Sequence, residues 1–242
     1  MGGWRDEFLP IYIGYDKKED EAYNVACYSL KKNCSVPFSV YPLVQRQLRQ
    51  QGLYYRGNDV KASTEFSLTR FLVPAIQQYK GWALFVDCDV IFLEDVAKLF
   101  KEADKQYALM CVHHDYVPKE GNKMFNQTNA VYPKKNFSSV MLFNCGHPAN
   151  RKLNVSTVNQ AEPSFLHQFK WLTNKQVGKL DKTWNFLAGE YEDPDVLPNL
   201  VHLTLGGPWI PDRPEHCKNK MFDELWIKYR DEMLALEKET TY

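Results

Sequence analysis

Asp87, Cys88 and Asp89 stand immediately after Trp82–Val86, the most hydrophobic strand candidate in the chain. Two acids one residue apart project to the same side of an extended backbone. At the carboxyl end of a parallel strand, that side opens into the crevice where α/β sheets bind ligands. Carboxylates held so close repel unless one is protonated or a cation neutralises them. A hard divalent ion with oxygen ligands, itself bound to a phosphate, resolves the conflict. The competing reading is an Asp-rich turn that caps a helix near Val96.

Two distant residues bear on that choice. Arg70 sits in a periodic stretch ahead of Pro74, where its plain reading is a solvated helix charge. His202 lies in a strand-like run followed by Gly206-Gly207-Pro208-Trp209. It is either a packed strand histidine or a third ligand, and the glycine pair permits close backbone approach to a ligand. Two carboxylates and one imidazole suit Mn²⁺ better than Mg²⁺, which prefers oxygen and bound water. Mn²⁺ is therefore the expected ion, with Mg²⁺ as the alternative.

The remaining polar groups read more plainly. His113 and His114 are adjacent and point to opposite sides of an extended chain, which favours a polar loop with Asp115. Glu94 and Asp95 suit the first turn of a helix. Glu190, Glu192 and Asp193 form an acidic cluster, either solvated or placed near an acceptor hydroxyl. Trp184 and Trp209 are read as packing residues rather than sugar platforms. Neither a G-x-S-x-G nor a P-loop pattern is present.

The elements that must carry these residues alternate. Leu9–Tyr15 reads as a strand ending at Gly14-Tyr15-Asp16, 19–32 as a helix and 38–43 as a strand. Leu68, Phe71, Leu72, Ala75, Ile76 and Tyr79 recur at helical steps, so an amphipathic helix is expected over 68–79. Trp82–Val86 has the unbroken apolar character of a strand buried on both faces. A helix over Val96–Lys101 and strands at 107–112, 138–145 and 199–205 follow, with short helices and loops in 144–193. A C-terminal amphipathic helix runs through Phe222, Trp226, Tyr229 and Met233. Alternating strands and helices predict an α/β layered fold. With no repeat and no linker, residues 1–242 are expected to form a single domain.

Composition narrows the function. The chain has 242 residues, with 30 basic side chains against 30 acidic ones. Without a basic patch, nucleic acid is not an expected partner. No stretch approaches the length of a membrane span, and the first residues carry early acids and no signal-like apolar run. The six cysteines (27, 34, 88, 111, 145 and 217) contain no C-x-x-C and read as free thiols. A cytoplasmic protein is expected, and the sequons at Asn33, Asn126, Asn136 and Asn154 are read as chance.

Six stretches, in order, carry a family resemblance: Ile11-Tyr-Ile-Gly-Tyr-Asp16, Leu68-Thr-Arg-Phe-Leu72, Phe85-Val-Asp-Cys-Asp-Val90, Asn136 to Asn144, Trp184-Asn185, and His202 to Trp209. Together they resemble the metal-dependent GT-A glycosyltransferases, closest to glycosyltransferase family eight (glycogenin and the lipopolysaccharide galactosyltransferases) and relatives in large algal viruses. The resemblance implies a Rossmann-like, mixed but mainly parallel sheet flanked by helices. It implies Mn²⁺ and a UDP-sugar diphosphate at Asp87, Cys88 and Asp89, with His202 as the third protein ligand and Gly206 and Gly207 beside it. Tyr15 and Asp16 would meet the base and ribose. Arg70 would reach the donor sugar or brace the aspartates. Asn136, Ser138 and Ser139 would line the sugar, and Asp181, Trp184 and Asn185 would contact sugar and acceptor.

Two departures stand out. The lysine that usually precedes Pro-Trp is absent at Gly207-Pro208-Trp209, leaving Lys182 as a substitute cation. Ser139 replaces the glycine of Asn-Ser-Gly and is expected to crowd the donor sugar. The implied reaction is transfer of a hexose or deoxyhexose from a UDP-sugar to a glycan or glycoconjugate hydroxyl. An inverting course would need a carboxylate base, Asp181 or Glu190. Acceptor recognition is assigned to the loop 118–132. The competing functions are a nucleotide-sugar hydrolase or nucleotidyltransferase, and a non-catalytic binding module.

Overall fold

The computed structural model describes residues 8–57, 63–115, 134 and 136–240. In chain order the elements are β1 (Leu9–Tyr15), α1 (Asp20–Asn33), β2 (Phe38–Val44), α2 (Gln45–Gln50), α3 (Val73–Ile76), β3 (Trp82–Val86), β4 (Val90–Phe92), α4 (Val96–Lys101), β5 (Leu109–Val112) and β6 (Val140–Asn144). They continue with α5 (Val155–Gln160), α6 (Pro163–His167), β7 (Val177–Leu180), β8 (Phe186–Leu187), β9 (Leu200–His202) and α7 (Lys220–Thr240).

Six strands form one sheet in the order β2-β1-β3-β6-β5-β7. The pairs β1–β2, β1–β3 and β5–β7 are parallel, and β6 runs antiparallel to both of its neighbours. This is the mixed, mainly parallel α/β sheet expected from the alternation. All five residues of β3 are buried, with β3 lying between β1 and β6 in the interior of the sheet. A smaller sheet, β4-β9-β8, packs Ile91, Val201, Leu203 and Phe186 against Phe222, Trp226 and Tyr229 of α7. Helix α1 lies between the two layers, with Ala26 and Leu30 in the main core and Val25 in the smaller one.

One element differs in kind from its expectation. The stretch 68–79 forms a 3-10 turn, Thr69–Leu72, followed by the single turn α3. Every residue from Thr69 to Pro74 is buried, so no solvated face exists along which an amphipathic helix could lie. Gln78 and Tyr79 then take positive φ (54° and 55°), which ends the segment ahead of Gly81. The run 138–145 likewise opens as a 3-10 turn, Phe137–Ser139, entered through a left-handed Asn136 (φ 61°). The short strands β4, β7 and β8 carry no alternation long enough to be legible in the sequence.

The six cysteines are free thiols. Among the described residues, no helix is long and apolar enough to cross a membrane. The loop 118–132 and the sequon at Asn126 lie outside the described residues.

Candidate active site

Two strand pairings assemble the site. Beyond Val86↔Val140, the β3–β6 ladder extends one step further, and the Asp87 amide donates to the Ser139 carbonyl at 2.9 Å. Strand β4 then begins at Val90, whose partner in register on β9 is His202. The Leu203 amide closes that edge by donating to the Asp89 carbonyl at 2.9 Å. Antiparallel pairing of β4 with β9 is thus what carries an imidazole from far along the chain to the strand-end acids. His202 Nε2 lies 3.2 Å from Asp89 Oδ1, and one ligand atom from each of Asp87, Asp89 and His202 falls within 4.8 Å of the others. The cap reading of the acid pair fails, because α4 is capped by Asp95, which accepts from the Ala97 amide at 3.0 Å.

Arg70 braces the other aspartate. Its Nη1 reaches Asp87 Oδ1 and the Ser138 carbonyl, both at 2.8 Å, and its Nε donates to the Phe66 carbonyl at 3.3 Å. The guanidinium also lies over the Phe66 and Phe85 rings, 5.3 and 5.0 Å from their centroids. Gly14 makes this possible, since a Cβ there would sit 2.4 Å from the Phe66 ring. Of the two roles expected for Arg70, the structure displays the bracing one.

His202 is held from behind. Its Nδ1 lies 3.1 Å from Asn185 Oδ1, and the Asn185 amide nitrogen reaches Ser139 Oγ at 2.8 Å, His114 Nε2 at 2.9 Å and the Asn136 carbonyl at 3.2 Å. His114 Nδ1 in turn meets the Tyr191 hydroxyl at 2.7 Å. Burial, then the nearby His202, pushes His114 down to about 3, so it is neutral at ordinary pH. The adjacent-histidine pattern predicts only a polar loop at His114; β5 and β8 converge on it, a juxtaposition no local pattern encodes.

The donor set fits a divalent cation. With Nδ1–H donated to Asn185, a neutral His202 turns its Nε2 lone pair toward a carboxylate oxygen 3.2 Å away. Two lone pairs at that distance repel, so a proton or a cation belongs between them. Two carboxylates and one imidazole are a ligand set for Mn²⁺ or a similar ion. Beneath them, Glu19 is buried with its Oε2 3.5 Å from the Cys88 thiol. Burial, then Asp89 and Asp16, holds the Glu19 carboxyl well above the usual carboxylate range. The Cys88 side chain is buried and donates toward Glu19, so only its backbone is available at the strand end.

The other expected site residues are distributed as follows. Tyr15 ends β1, its hydroxyl donating to Asp20 Oδ1 at 2.7 Å. Asp16 accepts from the Lys18 amide at 2.9 Å and the Glu65 amide at 3.1 Å, tying 63–67 to the end of β1. Ser138 Oγ meets His167 Nδ1 at 3.2 Å. Ser139 is buried and its hydroxyl donates to the Asn136 carbonyl at 2.7 Å, so it faces the protein interior rather than crowding a sugar. Trp184 is 1% exposed and donates to Glu102 Oε1 at 2.6 Å, a core position without a face toward the crevice. Asp181 is exposed and caps the turn Lys182–Asn185, with Thr183 holding its carboxyl below the usual range. Glu190 is half-buried beside Tyr191. The space left by Gly207 is filled by the chain itself, because a Cβ there would meet the Trp209 ring at 1.8 Å. Gly206 takes φ 98°, and its carbonyl accepts from Arg213 at 2.6 Å.

No family model matches the chain. A curated relative, Protein CDI of Arabidopsis thaliana, is 45% identical over 226 residues, covering 92% of this chain and 86% of that protein. Among solved structures, the glycosyltransferase GlyE of Streptococcus pneumoniae TIGR4 matches with a TM-score of 0.58 at 16% identity, over 98% of this chain and 64% of GlyE. The chain thus spans slightly less than two thirds of GlyE. The galactosyltransferase LgtC, solved with donor and acceptor sugar analogs, matches at TM-score 0.56 and 13% identity, over 93% of this chain and 96% of LgtC. A glycosyltransferase involved in glycosylation of the major capsid of PBCV-1 matches at TM-score 0.51 and 13% identity, over 93% and 98%. The fold is the GT-A fold that these glycosyltransferases share.

Proposed function

The chain belongs to the same family as Protein CDI of Arabidopsis thaliana, and from that premise, the fold and the strand-end cluster we propose that it is a metal-dependent glycosyltransferase. It moves a hexose or deoxyhexose from a UDP-sugar to the hydroxyl of a glycan or glycoconjugate. The observation that carries this reading is the convergence of Asp87, Asp89 and His202, with ligand atoms within 4.8 Å, at the carboxyl end of β3.

Asp87, Asp89 and His202 would hold Mn²⁺, which when bound supplies positive charge to the departing nucleoside diphosphate. The chain's own residues do the rest. Arg70 fixes Asp87 and keeps the acid pair from repelling. Tyr15 and Asp16, at the end of the neighbouring β1, take the base and ribose side. The turn of Asn136 and Ser138 forms the wall on the sugar side with Ser139 behind it, and Gly206 and Gly207 carry the chain past the diphosphate. An inverting course would draw on Asp181 or Glu190 to receive the acceptor proton. The described residues form one GT-A domain in this reading, and the free thiols accord with a reducing, cytoplasmic setting.

The test is turnover of a panel of UDP-sugars with Mn²⁺, with and without saccharide acceptors. A transferase releases UDP orders of magnitude faster when the right acceptor is present. Equal release without acceptor would instead assign a hydrolase. Thermal stabilisation by UDP and Mn²⁺ with no release on any acceptor would assign a binding module.

A further inference from the structure

Asn185 was expected among the contacts to sugar and acceptor, yet it is 0% exposed and every polar atom of its side chain is engaged. Its orientation follows from one neighbour. The Asn136 carbonyl can only accept, so the Asn185 atom 3.2 Å from it is the amide nitrogen. The other atom, Oδ1, therefore faces His202 and can only accept, so His202 Nδ1 must carry a proton. The same amide nitrogen also lies 2.9 Å from His114 Nε2, a third neighbour for a group with two hydrogens. Ser139 Oγ gives its proton to the Asn136 carbonyl and so accepts from Asn185 as well.

We infer that Asn185 is a positioning residue for the metal site: it fixes the ring of His202 with Nδ1 protonated and Nε2 presented to the cation, and is itself held by Asn136, Ser139 and His114. This rests on the reading of Asp87, Asp89 and His202 as metal ligands. Metal-bound histidines are commonly held this way through the second ring nitrogen, and loss of the partner typically weakens metal binding about 10–100-fold. Ser139 gains a purpose from this arrangement, because a glycine at that position would offer Asn185 no hydroxyl. Tyr191 extends the chain of contacts to the residue after Glu190, tying the segment after β8 to the metal ligand.

Two measurements test the inference. The first is the ¹⁵N spectrum of the His202 ring in metal-free wild-type protein at pH 8, identified by its loss in His202→Gln. Nδ1 is expected to carry a proton, and a ring with Nδ1 bare and the proton on Nε2 overturns the inference. The second is Mn²⁺ affinity by electron paramagnetic resonance for wild type, Asn185→Ala and Ser139→Ala. The expected result is a loss of about tenfold or more in Asn185→Ala and a smaller loss in Ser139→Ala. A folded Asn185→Ala that binds Mn²⁺ as wild type does overturns it. If Asn185→Ala does not fold, the wild-type ring spectrum decides. Failure of the wild type to bind Mn²⁺ overturns the metal-site reading itself, and with it the role given to Asn185. Metal binding that is strong in wild type and unaltered in both variants overturns only the positioning role.

Discussion

Arg70 and Asp87 form an ion pair, Nη1 to Oδ1 at 2.8 Å, with both side chains nearly closed off from water. The pair offsets one of two carboxylates crowded at the end of β3, and His202 faces the other. The strand end therefore comes pre-arranged, with one acid braced by the protein and the second turned to an imidazole.

Removing Arg70 takes the guanidinium away from Asp87, a carboxylate largely shielded from water. Arg70→Met should destabilise the protein by about 3–5 kcal/mol, read from denaturant unfolding in metal-free buffer. Added Mn²⁺ should raise the melting temperature more in the variant than in wild type, because a bound cation takes over the charge compensation. Equal stability of variant and wild type would contradict a bracing role.

Acid should weaken the fold through two half-buried imidazoles, His114 and His167. Burial, then Arg70, pushes His167 down to about 3, and His114 is pushed down to about 3 as well. With folded values below the unfolded value of about 6.5, the unfolded chain binds protons that the native one refuses. Stability is therefore complete above pH 6.5 and is lost as pH falls toward 3. His167→Gln keeps a polar group near Ser138 but does not titrate. Its loss of stability between pH 7 and pH 5 should be smaller than that of wild type by about 2 kcal/mol, since one pH unit is worth about 1.4 kcal/mol per group. Parallel stability curves for the two proteins would contradict this.

The sequence was most informative where periodicity and chemistry coincide locally. The bounds of β1, β3 and α4 match their expected ranges because each is a short apolar run or a helix with its cap in the sequence. Asp87, Asp89 and His202 were legible as residues, but their meeting depends on the pairing of the three-residue strands β4 and β9, which have no sequence period of their own. The departure at 68–79 has one cause: helical spacing of apolar residues implies a single buried face, whereas the chain from Thr69 to Pro74 is buried on all sides.

The supporting layer was least legible. Asn185, Ser139 and His114 carry no motif that says which way they face, and a resemblance that places Asn185 and Ser139 beside a sugar does not distinguish a surface contact from a support one layer below. Glu19 gave no signal either, since an acid in a charged stretch after β1 reads as solvated until the fold buries it under Cys88.

The most direct test is calorimetric titration of UDP into wild type, Asp87→Asn and Asp89→Asn, each with and without Mn²⁺. Wild type should bind UDP only when Mn²⁺ is present, and both isosteric variants should lose that binding while keeping the wild-type circular dichroism spectrum. UDP binding of equal strength without the ion, and unchanged in both variants, would contradict a nucleotide site built on the two aspartates and His202.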